Sequence, residues 1–96
     1  MIRHIVMYKL KDPTDGNKQA LVDMFKSMRG QIDELRGVEA GADILGTERS
    51  FDVVLVTTFD DLEDYRAYQD SEYHVNVVKK YVHGVIEKAV AVDYNF

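Results

Sequence analysis

Between Phe51 and Phe59 the chain reads Phe-Asp-Val-Val-Leu-Val-Thr-Thr-Phe, and the residues are apolar on both alternating sets. This density of β-branched and aromatic side chains favours a strand. Side chains alternate along a strand, so Val53, Leu55, Thr57 and Phe59 share one face, and Val54 and Val56 lie on the other. The segment from Ile2 to Leu10 alternates in the same way, with His4, Val6 and Tyr8 on one face and Ile5 and Met7 on the other. A sheet built from these two strands therefore has two apolar faces, and each needs cover.

The remaining elements limit what that cover can be. Asp12, Pro13, Thr14, Asp15 and Gly16 form a loop by turn chemistry. Leu21, Met24, Phe25, Met28, Ile32 and Leu35 recur at spacings of three and four, which predicts a helix over 18–35 that contains Gly30 and stops at Gly37. Residues 38–45 form a weaker strand, and a polar turn over 46–50 joins it to 51–59 as a hairpin. Asp60 or Asp61 caps a second helix that buries Leu62, Tyr65 and Tyr68. Asp70 and Ser71 break that helix and cap its continuation, which carries Val75, Val78, Val82 and Val85. Residues 88–94 close the chain as a strand.

The order is strand, helix, strand, strand, helix, strand. It predicts a single α+β domain over residues 1–96, with one four-stranded antiparallel sheet and both helices on one face. Ile5, Met7, Val54, Val56 and Ala91 are then expected on the face that no helix covers. A second copy packed sheet to sheet is the economical solution, a two-fold homodimer.

A net charge of −5 opposes non-specific nucleic-acid binding, which needs a basic footprint. The chain has no Cys, so no thiolate chemistry is available to it. The start resembles neither a signal peptide nor a membrane span, and a cytoplasmic protein without membrane contact is expected. No histidine pair has helical metal-ligand spacing, so a catalytic transition metal is not expected, and no cofactor is expected. Lys79, Lys80 and Lys88 read as a solvated face. Asp60, Asp61, Glu63 and Asp64 read as a charged helix start. Tyr8, Tyr65, Tyr73 and Tyr81 read as packing or interface residues, and His83 as a surface residue.

The stretch from Tyr65 to Val78 holds the densest cluster of aromatic residues and histidine. Tyr68 and His74 flank the helix break, where a phenol and an imidazole suit acid–base chemistry. The competing account is a pair of amphipathic side chains closing a core. His4, on an apolar strand face, has the same two readings.

Taken together, Ile-Arg-His-Ile-Val-Met-Tyr-Lys-Leu-Lys-Asp at the start, Phe51 to Phe59, Tyr68-Gln69 followed by His74, and Val92-Asp93-Tyr94 resemble the stress-responsive dimeric α/β barrel (Dabb) family. The resemblance implies a ferredoxin-like βαββαβ subunit whose dimer closes a barrel. A plant polyketide cyclase of that family works by aldol condensation without metal or organic cofactor. By this resemblance its tyrosine and histidine fall on Tyr68 and His74, its first-strand histidine on His4, and its helix-one aromatics on Phe25 and Met28. Some relatives carry magnesium near the turn matching 35–38, where Arg36 stands in place of the usual proline. Ser71-Glu72 replaces the family's His-Pro, so a serine cap stands where a prolyl helix start is usual.

The expected site is a pocket between sheet and helices, with a small-molecule ligand. Tyr68 and His74 are its catalytic pair, and His4, Val6, Phe25, Met28 and Leu55 its substrate-binding wall. The expected function is a cofactor-independent lyase, cyclase or isomerase acting on a small apolar carbonyl compound. His74 serves as general base, and Tyr68 orients it or donates to an enolate oxygen. Helix dipole and burial both favour the neutral imidazole, against Glu72. The alternatives are a non-catalytic small-molecule-binding or stress-related structural dimer and, third, a cofactor-free monooxygenase.

Overall fold

Strand β1 (Ile2–Leu10) runs through the middle of the sheet and buries Ile2, His4, Val6, Tyr8 and Leu10 on one face. In the computed structural model, which describes residues 1–96, it pairs antiparallel with β3 (Val53–Phe59) and with β4 (Ile86–Asn95). Strand β2 (Gly37–Ala42) pairs antiparallel with β3, giving the order β2-β3-β1-β4. Helices α1 (Asp15–Lys26) and α2 (Leu62–Asp70), a π-helical segment (His74–Lys79) and α3 (Lys80–Val85) complete the chain. The fold is ferredoxin-like. No helix is long and apolar enough to cross a membrane.

The core lies between the sheet and the helices. Val6, Tyr8, Val53, Leu55 and Phe59 from the sheet meet Leu21, Phe25, Met28, Tyr68 and Val78. The opposite face is lined by half-buried Ile5, Val54 and Val56 and by exposed Met7. Register corrects one residue on that face. Ala91 lies opposite Val6, on the helix side, whereas Val90 lies opposite Met7 and Val92 opposite Ile5. Directly paired residues share a face, so Val90, Val92 and Tyr94 join the open side and Ala91 leaves it.

Several boundaries differ from the sequence expectation, each for a local reason. Helix α1 begins earlier because Thr14 caps it, its Oγ1 accepting from the Asn17 amide at 3.1 Å. It ends at Lys26, well short of Leu35, and Gly30 lies beyond it at φ 77°. That left-handed conformation suits glycine and stops a helix. Met28 and Ile32 continue the apolar spacing, yet they are buried from the non-helical segment after α1. Strand β2 stops at Ala42, leaving Ile44 and Leu45 exposed in the following loop. Strand β3 starts at Val53 because the Asp52 carboxylate turns back to accept from the Leu10 amide at 2.8 Å. Asp61 is the cap of α2, accepting from the Asp64 amide at 2.8 Å, and Leu62 is exposed. Val75 is exposed too, because the π-helical turn shifts it out of phase with buried Val78.

Candidate active site

Ser71 determines how the second helical stretch restarts. Its backbone is extended, and its Oγ accepts from the His74 amide at 3.2 Å. This serine cap satisfies one of the donors that a helix start leaves free. Five residues before His74, in the last turn of α2, Gln69 has its carbonyl oxygen 3.2 Å from His74 Nδ1. A carbonyl can only accept, so Nδ1 carries the ring proton. Nε2 is then the basic nitrogen.

The His74 ring packs on Tyr68 with centroids 4.5 Å apart and planes at 49°. Their relation is ring against ring. The Tyr68 hydroxyl donates to Met28 Sδ at 3.7 Å instead, a soft contact. Orientation of the imidazole therefore comes from the Gln69 carbonyl, and Tyr68 supplies a wall. Burial lowers the His74 pKa below its usual value; the Gln69 hydrogen bond opposes this, and Lys79 and His4 add to the lowering. Burial also raises the Tyr68 phenol, and it pushes Tyr8 up to about 12. Both phenols stay protonated at neutral pH and so remain able to donate.

His4 sits one layer deeper. It is opposite Asp93 on the neighbouring strand, and its Nδ1 pairs with the Asp93 carboxylate. Its ring also packs on Tyr65 at 5.0 Å. Asp93 is half exposed, whereas His4 is buried. The register of β1 against β4 makes this pair, and neither spacing nor alternation pointed to Asp93.

A cavity of about 140 Å³ opens among these groups, lined by His4, Tyr8, Phe25, Leu55, Tyr68, Gln69, His74, Val78, Lys79 and Val82. Five expected residues meet there: His4, Phe25, Leu55, Tyr68 and His74. Val6 and Met28 do not line it. Val6 lies between the larger His4 and Tyr8 on the same face and is buried without reaching the cavity. Met28 is fully buried behind the Tyr68 hydroxyl. Tyr8, read from the sequence as a packing or interface residue, also lines the cavity, and its alternation with His4 was the signal for it; Gln69 and Lys79 had no such signal.

Lys79 reaches the lining through helix geometry. Residues five apart in an α-helix point about 140° away from each other. In a π-helix, bonded from i to i+5, such residues stack nearly above one another. The π-helical turn over His74–Lys79 thus brings Lys79 to the same side as His74.

At the turn before β2, Arg36 pairs with Asp60 at 3.0 Å. A permanent guanidinium charge sits there with its counter-ion, so the turn does not suit a divalent cation.

An uncharacterised protein of Streptomyces coelicolor is 29% identical over 77 residues, covering 77% of this chain and 79% of its own length. A dimeric protein of unknown function and ferredoxin-like fold from Bacteroides fragilis superposes with a TM-score of 0.82 at 26% identity, covering 99% of this chain and 95% of that one. A hydroxynitrile lyase from Passiflora edulis shares the fold at a TM-score of 0.79 and 18% identity, over 97% of this chain and 90% of that one. With the ferredoxin-like topology, and with the stress responsive A/B barrel domain model matching residues 2–96, this chain belongs to the Dabb family.

Proposed function

We propose that the chain is a cofactor-independent lyase, cyclase or isomerase acting on a small carbonyl compound with an apolar body, with His74 as the general base. One observation carries this reading. His74 lies on the wall of a cavity of mixed polar and apolar lining, with its Nδ1 3.2 Å from the Gln69 carbonyl oxygen and the Tyr8 and Tyr68 phenols on the same wall. Polar groups converging beside apolar Phe25, Leu55, Val78 and Val82 are what fixes the orientation of a small ligand. A dry cavity of about 150 Å³ accommodates a benzene ring, so this one suits a comparably small body.

The chemistry needs a base and hydrogen-bond donors. Nε2 of His74 takes a proton from carbon next to the carbonyl. The C–H bond breaks, and its electron pair moves onto the carbonyl oxygen as an enolate. The Tyr68 phenol is a donor for that oxyanion once its soft bond to Met28 is exchanged. Reprotonation at another carbon isomerises, attack on a second carbonyl cyclises, and expulsion of a leaving group makes a lyase. That a hydroxynitrile lyase has this fold supports the lyase branch at the level of fold.

Exchange of the α-protons of small ketones and aldehydes in D₂O, followed by NMR, tests the base whatever the physiological substrate is. The expected result is catalysed exchange that falls about a hundredfold in His74→Ala. Exchange no faster in the wild type than in His74→Ala overturns the proposal. Binding of these compounds without exchange would favour a non-catalytic small-molecule-binding protein.

We also propose a homodimer formed through the helix-free sheet face. Ile5, Met7, Val54, Val56, Val90 and Val92 form an apolar surface with no cover within the subunit, and the Bacteroides fragilis neighbour is dimeric.

A further inference from the structure

Lys79 lines the cavity that holds His74, yet it forms no ion pair within the subunit. The chain's ion pairs are His4 with Asp93, Lys18 with Asp15, and Arg36 with Asp60. The Lys79 side chain also takes part in no hydrogen bond. The residue is exposed as well as lining the cavity, and its charge lies near enough to His74 to disfavour the imidazolium. The other polar groups of the lining are Gln69, the two phenols and the two imidazoles, none of them anionic. Asp93, half exposed and outside the lining, is already engaged by His4.

Helix geometry makes this placement specific. In a regular α-helix Lys79 would turn away from His74, as Lys80 does into solvent. The π-helical turn keeps a cation facing the same opening as the base. The cavity thus has an apolar floor of Phe25, Leu55 and Val78, a neutral base on one wall and an uncompensated positive charge at its rim.

We propose that the ligand of this cavity is a small carboxylate, its apolar body on the Phe25–Leu55–Val78 floor and its anionic group at Lys79. This deepens the reading of His74 as a base acting on a carbonyl compound and rests on it for the carbonyl; the charge preference is a property of Lys79.

Benzoate and benzamide separate charge from shape, since they differ in charge and hardly in size. Both are titrated into the full-length protein at low salt, following the His74 ring and the Lys79 backbone amide by NMR. Benzoate is expected to bind roughly fivefold more tightly, the scale of an ion pair at a solvated site, and to lose that margin as salt is added. Lys79→Gln should bring benzoate down to the benzamide level and leave benzamide unchanged, while Lys79→Arg keeps the preference. Equal affinities in the wild type, a preference that survives Lys79→Gln, or no binding of either probe would overturn the inference. His74-dependent proton exchange that persists under those results would leave the general base standing and remove only the carboxylate.

Discussion

The carbonyl of Gln69 does for His74 what a carboxylate often does for a catalytic imidazole: it holds one ring nitrogen and leaves the other basic. Burial keeps that ring neutral, which links it to stability. The folded-state pKa lies below that of the unfolded chain, so the unfolded chain binds more protons in the window beneath about pH 6.5. The stabilisation is full above that window and declines as pH falls through it. Thermal melts from about pH 7.5 down to about pH 5 should therefore show a falling midpoint, and His74→Gln should flatten part of that fall. The groups around the ring, Lys79 and His4, disfavour its protonation, so Lys79→Gln should raise the His74 pKa in an NMR titration. At Ser71 the expected change is in stability. Ser71→Ala removes the cap on the His74 amide and should cost about 1 kcal/mol, read by denaturant unfolding.

Elements are bounded here by caps and by one glycine more than by the apolar pattern. Gly30 stands at φ 77° with open space where a Cβ would go, so a substitution there meets backbone strain alone. Gly30→Ala should destabilise by about 1–2 kcal/mol without altering the cavity, which denaturant unfolding and ligand titration would report separately. The π-helical turn is the element on which the site depends. It carries His74 at one end and Lys79 at the other and shows Val78 to the core between them. Apolar residues at 75, 78, 82 and 85 imitate an ordinary amphipathic helix, and the exposure of Val75 marks where the imitation fails.

Across the whole molecule, the sheet has helices on one side only. Its other side presents Ile5, Val54 and Val56 half buried, with Met7 and Val92 exposed. An apolar face of this kind in water favours self-association. Val54→Lys or Val56→Lys should dissociate the dimer at micromolar concentration, with loss of the sheet-to-sheet contact and retention of the helix-side core. Sedimentation velocity measures this directly; a wild-type monomer at that concentration would refute the assembly.

Much of this architecture was legible because alternation and three-to-four spacing are local properties. Residues 2–10 and 51–59 declared strands, and the six-element order implied a sheet with helices on one face. His4, Phe25, Leu55, Tyr68 and His74 were likewise legible as inward-facing residues of their elements. What the tertiary structure decided depends on register and helix phase, which are relations between segments. Ala91 faces the helices because β4 pairs with β1 one way and not the other. The same pairing joins Asp93 to His4. Lys79 reaches the cavity because one turn is wound wider than an α-helix, and neither periodicity nor composition marks such a turn. Hydrophobic pattern selects a face; the packing of one segment against another chooses which polar residues meet across it.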